Sequence, residues 1–254
     1  MILYKKLIKG KAENLNYKQS KQNLKNQNIM WIVIIILVIG GYIYLKGISE
    51  PAELKKLIQG RPQQQQDVIK YFFGKGGFLT KRMTDAEYDS LVANTIKQSN
   101  FKKKALEKIG LDESQVNEIE PVNFEGWLFG KTVDWAKYGA DNKARSSAYQ
   151  ITWLFFSSSQ MFIYKHTIHF SKDDKKVATE EYFYKDITNF STVTDTVEQS
   201  FWNNNLKKYE VKNVDSNDFA ITVPGDKFYC SMEQNDYTER AIQGMKAKLR
   251  EKKG

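Results

Sequence analysis

Apolar and polar positions follow three patterns along the chain. Residues 29–45 are an uninterrupted run without a charged side chain. In residues 83–120 apolar positions recur every three or four residues, which is typical of amphipathic helices. From residue 121 they alternate with polar positions, as in half-buried strands, until a last helical stretch near the C-terminus. The pattern predicts an α+β protein with a membrane-spanning helix ahead of its folded part.

The patterns divide the chain into five segments. We expect a mobile, basic polar tail in residues 1–28, a transmembrane helix in 29–45 and a basic linker with short helices in 46–82. A helical region follows in 83–120, and a β-rich domain closed by a C-terminal helix occupies 121–254. Within the linker, the glycine-rich stretch at 74–77 predicts a flexible joint. It lacks the preceding strand and the Lys-Ser or Lys-Thr pair of a phosphate-binding loop.

The apolar run has the length of a membrane span. Seventeen residues in a helix cover about 26 Å, close to the lower limit for the hydrocarbon core of a bilayer. Trp31 at one end and Tyr42 and Tyr44 at the other suit the two membrane interfaces. We therefore predict a single-pass protein that contacts the lipid bilayer through 29–45. A cleaved signal peptide is the alternative, but no Ala-x-Ala site follows the run.

The net charge of +9 is concentrated beside the apolar run. Residues 1–28 carry +6 and residues 46–82 carry +5, whereas 83–254 carry −2. Basic flanks of this kind are attracted to anionic lipid, and a nearly neutral folded part argues against nucleic-acid binding. Because both flanks are basic, charge gives no membrane orientation. Cys230 is the only cysteine, which favours a reducing compartment, so we expect the C-terminal domain in the cytoplasm.

Local signals mark the ends of the predicted helices and strands. Polar capping pairs predict three helix starts, at Thr84 with Glu87, Asp112 with Gln115 and Asp236 with Glu239. Segments rich in aromatic and β-branched residues, bounded by polar turns, predict strands at 122–129, 149–156, 161–170, 179–183 extending toward 191, 209–214, 219–223 and 227–232.

Seven antiparallel strands followed by one helix is the element order of a pleckstrin-homology-like barrel. The sequence Glu-Tyr-Phe-Tyr-Lys-Asp-Ile-Thr at 181–188 resembles the fourth-strand region of bacterial pleckstrin-homology and GRAM-type domains. The stretch from Val223 to Lys246, together with the helical region before the strands, resembles uncharacterised bacterial proteins of this kind. The resemblance implies a barrel plugged at one end by the last helix. A lipocalin-like barrel is less favoured, because the strands are too few.

The same resemblance suggests where a ligand would bind. Lipid-reading members of the wider family carry several cations on the loop between their first two strands. Here that loop contains two acidic residues, Asp134 and Asp141, and four cations that are candidates for contact with a ligand or a lipid headgroup: Lys131, Lys137, Lys143 and Arg145. Several cations on one loop could clamp a phosphorylated headgroup.

Catalytic signatures are missing from the sequence. The two histidines, His166 and His169, are three residues apart on a predicted strand, so they point to opposite faces and cannot share a metal ion. We expect Cys230 to be a buried, inert thiol. We predict no catalytic, cofactor-binding or metal-binding residues and no cofactor.

The expected function is that of a non-enzymatic, membrane-tethered binding or adaptor module. It would contact an unknown protein partner or the anionic membrane surface. Two alternatives stay open at this point: an extracytoplasmic, envelope-associated interaction protein, and an unrecognised enzyme. A convergent group of perturbed ionisable side chains would favour the enzyme.

Overall fold

A computed structural model of the protein describes residues 2–73, 79–131, 133–203 and 208–253. The described chain divides into two compact units. The first extends to Pro51 and also includes Leu79 and Thr80, and the second comprises the other described residues from Ala52 onward. The predicted joint at 74–77 overlaps residues 74–78, which are outside the described chain.

The first unit consists mainly of one helix, α1 (Ile2–Ile48). It is long and apolar enough to cross a membrane, although a signal sequence near an N-terminus satisfies the same criteria. The apolar side chains of residues 29–45 are exposed, Trp31 by 58% and Leu37 by 68%, as expected of side chains that face lipid. Residues 2–28 of the predicted mobile tail are part of this helix. Residues 1–28 contain no proline, and lysine, a good helix former, is their commonest residue.

The second unit contains five α-helices and one 3₁₀ helix within the described residues. The α-helices are α2 (Ala52–Ile58), α3 (Gln63–Phe72), α4 (Asp85–Ser99), α5 (Phe101–Ile109) and α6 (Asp236–Lys253), and the 3₁₀ helix is Glu113–Gln115. The capping pairs predicted at Thr84 and Asp112 are both present. At α6 the cap is one residue earlier than predicted, because the Asn235 side chain accepts a hydrogen bond from the backbone N–H of Thr238 at 3.0 Å.

Much of the predicted linker is folded. Residues 52–73 belong to the second unit, and α2 and α3 bury apolar side chains that include Leu54, Ile69 and Phe72. The sequence of α3 looks polar because its glutamines occupy the first turn, whereas its last six residues carry the buried side chains. The short helices are confirmed, and they form part of the core.

Within the described residues, nine strands form three antiparallel sheets. The strands are β1 (Val122–Trp127), β2 (Ala136–Tyr138), β3 (Ala144–Ser146), β4 (Ala148–Phe156), β5 (Gln160–His169), β6 (Lys175–Phe183), β7 (Asn189–Asn203), β8 (Lys208–Val223) and β9 (Asp226–Ser231). The sheet orders are β1-β4-β5-β6, β2-β3 and β7-β8-β9. Among the described strands these sheets remain separate, so the closed barrel that we expected is not present there.

We predicted no strand over 192–203, which β7 occupies, and we divided β8 into two strands. We expected two strands at 209–214 and 219–223 with a polar turn between them, but β8 is continuous through this region. Its polar residues find partners across the ladder: Thr196 donates to Asp215 at 3.0 Å and Thr194 donates to Asn217 at 2.8 Å. These hydrogen bonds let a turn-like sequence remain extended.

The four-stranded sheet is covered on both faces. One face packs with β7, β8, β9 and the apolar side of α6, including Ile242, Met245 and Leu249. The other face packs against α3, α4 and α5, with Phe72, Tyr88 and Phe101 among the contacts. Consequently all but one residue of β4 are buried, and its apolar run is that of a central strand.

Candidate functional site

The four predicted ligand-contact cations lie on or near the β2–β3 hairpin. Lys137 on β2 pairs directly with Arg145 on β3, and Lys143 is in the connection between the strands. Lys131 precedes the hairpin. We expected this segment to be a loop between two strands, and the prediction missed both short strands, which have only three residues each.

Arg145 is directed into the protein. Its side chain is only 4% exposed and forms paired hydrogen bonds with two carboxylates, Asp89 on α4 at 2.6 and 2.7 Å and Asp141 at 2.8 and 2.9 Å. The hydrogen bonds that Arg145 donates to Asp141 and Asp89 raise the pKa of Arg145, and the same guanidinium lowers the pKa of Asp141. Arg145 therefore fastens the hairpin to α4 and is not available to an anionic ligand.

Lys137 is also bound within the protein. Its Nζ atom lies 3.3 Å from a carboxylate oxygen of Asp85 and 4.1 Å from the centre of the Tyr71 ring. Burial tends to raise the pKa of Asp85, but hydrogen bonds from the Ala140 backbone at 2.8 Å and the Tyr71 hydroxyl at 2.9 Å outweigh it, and the pKa is lowered. Both side chains of this ion pair are about three-quarters buried.

The two remaining cations are exposed and border different clefts. Lys131 lies on a cavity next to α2, whereas Lys143 lies on a smaller cleft next to α4. The four candidates thus do not converge on one headgroup site. Asp85 and Asp89, which pair with Lys137 and Arg145, are about fifty residues earlier in the chain, so the sequence of the loop does not reveal them.

The larger cavity has a volume of about 750 Å³, and we call it the α2–β7 cavity. Its apolar part comes from four segments that are distant in sequence. They contribute Leu57 of α2, Phe73 after α3, Val133, Trp135 and Ala136 at the start of the hairpin, and Tyr209 of β8. Phe73 and Trp135 meet edge to face with ring centres 6.1 Å apart, which fixes the wall of the cavity.

Charged groups of both signs surround the α2–β7 cavity. Lys56 and Lys131 are exposed cations, and Glu198 is an exposed carboxylate on β7. Asp134 is held by Lys172 at 3.1 Å. At the base, the buried Gln199 side chain accepts a hydrogen bond from the backbone N–H of Gly130 at 2.8 Å. The result is an apolar recess with a mixed polar border.

The smaller cleft, of about 290 Å³, contains the carboxyl groups of Glu125 and Glu233. Burial and the nearby Glu233 raise the pKa of Glu125. Burial and the two carboxylates also raise the pKa of Tyr149. Arg145 forms part of the wall, but its guanidinium is held by Asp89 and Asp141.

The groups with the greatest chemical reactivity are buried or neutral. Cys230 is buried as expected, and burial raises the pKa of its thiol to about 12. Burial, with Lys104 and Lys175 nearby, lowers the pKa of His166 to about 4. In the described ranges, no group of three or more His, Cys, Asp and Glu side chains is arranged to hold a metal ion.

Comparison with protein families, with curated proteins and with solved structures gives no significant match to this chain. The geometry of the two clefts and the properties of α1 are therefore the observations on which function must be argued.

Proposed function

We propose that the chain is a non-enzymatic, membrane-tethered binding module whose α2–β7 cavity receives apolar side chains of a protein partner. The observation that carries the proposal is the cavity itself, about 750 Å³ with aromatic and aliphatic walls. This volume is typical of binding pockets, and aromatic walls with a polar border are typical of the anchor points of protein interfaces.

The mixed charge around the cavity favours a polypeptide over an anionic lipid headgroup. A headgroup site needs several converging cations, but Lys137 and Arg145 are bound to carboxylates within the chain. A peptide can place an apolar side chain in the recess and polar groups opposite both Lys131 and Glu198.

The tether follows from the properties of α1. We infer that its apolar part spans the membrane as a single uncleaved anchor and that the folded unit lies on the cytoplasmic side. Only residues 49–51 separate α1 from α2, which contributes to the cavity. Attachment to a membrane raises the effective concentration of the module toward partners in the same membrane.

Protease protection of a C-terminal epitope in intact cells tests this orientation, with lysed cells as the control. Protection is the expected result. Digestion of the epitope in intact cells would place the folded unit outside and favour the envelope-associated alternative.

We also propose that the folded unit is an open relative of the pleckstrin-homology-like fold. Antiparallel strands followed by a C-terminal helix that packs on the sheets support this relationship. The three sheets of the described chain are separate, which argues against a closed barrel.

A photo-reactive amino acid at position 200 tests the binding proposal in the full-length protein in its native membrane. Ser200 is an exposed residue of β7 that lines the cavity, and Thr192 is an exposed residue of the same strand outside it. We expect a discrete protein adduct from position 200 that is absent from position 192. An adduct with lipid alone would favour the membrane-surface version, and equal labelling from both positions would contradict a site in the cavity.

A further inference from the structure

The two edges of the four-stranded sheet differ in how far other parts of the fold cover them. At the β1 edge, three successive outward positions have partners. The Asn123 backbone N–H donates to the Tyr237 hydroxyl at 3.2 Å, and the Glu125 carbonyl accepts from the Glu233 backbone at 2.7 Å. The Trp127 carbonyl accepts from the Ser231 hydroxyl at 3.1 Å.

Gly126 makes this cover possible. A Cβ atom at Gly126 would come within 2.7 Å of the Ser231 hydroxyl and within 3.2 Å of the Met232 backbone. The absence of a side chain lets the segment after β9 approach β1 closely, so the β1 edge is not accessible to another strand.

The β6 edge is open by contrast. Seven of its nine residues are exposed, including Val177 at 38% and Phe183 at 50%. Strands that end a sheet in this way present unpaired backbone groups to any extended segment that reaches them.

The charges along β6 are ordered. Its sequence, Lys-Lys-Val-Ala-Thr-Glu-Glu-Tyr-Phe, has two cations at one end and two carboxylates at the other, with Ala178 midway between them. None of these four charged side chains forms an ion pair among the described residues.

We propose that two copies of the chain pair through β6, antiparallel, with the two-fold axis at Ala178. In this register Lys175 of each copy lies opposite Glu181 of the other, and Lys176 lies opposite Glu180. Residues opposite each other in an antiparallel pair point to the same face, so each face of the joined sheet carries two ion pairs. Parallel pairing in register would place Lys opposite Lys and Glu opposite Glu, and is disfavoured.

Exposed charges on an edge strand ordinarily prevent pairing between strands. On β6 the lysines at one end and the glutamates at the other are complementary to a second, antiparallel copy. A strand without this order of charges would form no such ion pairs with β6. The interface is small for a dimer in solution, since it consists of one nine-residue strand from each copy. Confinement in a membrane favours such a weak interface, so this inference rests on the proposed tether but not on the α2–β7 cavity.

Cysteine cross-linking in native membranes tests the register, in a Cys230→Ser background. Opposite Cα atoms in an antiparallel pair are about 4.5–5.5 Å apart, within disulfide range, so Ala178→Cys should form a cross-linked dimer on mild oxidation. Lys176→Cys is the matched control, because its two copies would be about 13 Å apart along the strands. Lys176→Cys and Glu180→Cys, co-expressed with different tags, should cross-link with each other.

Charge reversal tests the complementarity. Replacing Lys175 and Lys176 with Glu should reduce the Ala178→Cys dimer about tenfold or more, because every opposed pair becomes repulsive. Exchanging all four charges, with Lys at 180 and 181, should restore it. The proposal is overturned if Ala178→Cys cross-links no more than Lys176→Cys, or if charge reversal has no effect. Recovery of the protein in the membrane pellet separates either result from failure of the tether.

Discussion

Two pairs of cations near one hairpin have opposite surroundings. Arg145 and Lys137 face carboxylates of α4, while Lys143 and Lys131 face solvent. All four belong to one polar segment of the sequence and carry the same charge. A basic loop can therefore hold two elements of a fold together, and the partners of a cation decide its role more than its neighbours in sequence do.

Removal of the buried Arg145 guanidinium should have the largest effect on stability. Arg145→Met removes the partner that Asp89 and Asp141 share. Because these two carboxylates are 47% and 42% exposed and stay in contact with water, we expect the free energy of unfolding to fall by about 2 kcal/mol. The melting temperature of the full-length protein in mild detergent should then fall by about 4–8 °C. Lys143→Met, two residues away, should change it by about 1 °C or less. Equal losses in the two variants would contradict a structural role for Arg145.

A smaller loss should follow removal of Lys137. Lys137→Met abolishes the ion pair with Asp85 and the contact with the Tyr71 ring, together worth about 1 kcal/mol for groups that are only partly buried. We expect a decrease of about 2–4 °C by tryptophan fluorescence during heating. Lys131→Met serves as the comparison and should melt within about 1 °C of the unaltered protein.

Low pH should weaken the interactions of the Asp85 carboxylate with Lys137, Tyr71 and Ala140. The pKa of Asp85 is lowered in the folded protein from its usual 3.8, so its charged form contributes stability above that value, which is lost as the pH falls through the folded pKa. Asp85→Asn should melt below the unaltered protein at pH 7, and the difference should narrow below about pH 4. A difference that stays constant from pH 7 to pH 3 would show that the charge of Asp85 does not stabilise the fold.

Of the two outward cations, only Lys131 should affect binding, and neither should change stability appreciably. Lys131→Glu reverses a charge on the border of the α2–β7 cavity, and we expect it to reduce the protein adduct from position 200 by about threefold to tenfold. Lys143→Glu makes the same change of charge beside the other cleft and should leave the adduct unaltered. If both variants lose the adduct equally, net charge rather than the cavity governs binding.

Much of the fold could be predicted because some signals are local. The capping pair at Thr84 depends on residues three positions apart. The apolar run of β4 reflects burial on both faces of the strand. Other features depend on distant partners. Asp215 and Asn217 resemble a turn until the threonines of β7 bond to them.

The candidate site follows the same division. The loop with Lys131, Lys137, Lys143 and Arg145 could be located from sequence, but not the direction of each side chain, because Asp85 and Asp89 come from α4. The α2–β7 cavity could not be predicted. Its walls, from Leu57 to Tyr209, come together only after α2 packs beside the β7–β8 hairpin.

The covered β1 edge also limits how far strand pairing can proceed. A sheet with two accessible edges can add copies without end and grow into a fibre. Here Tyr237, Glu233 and Ser231 hydrogen-bond to the outward backbone groups of β1, so the four-stranded sheet of each copy offers a single edge. The proposed pairing through β6 is isologous and would use that edge in both copies at once, which closes the assembly of this sheet at two. Gly126 allows the β1 edge to be covered, and we expect a larger residue there to uncover that edge and favour aggregation.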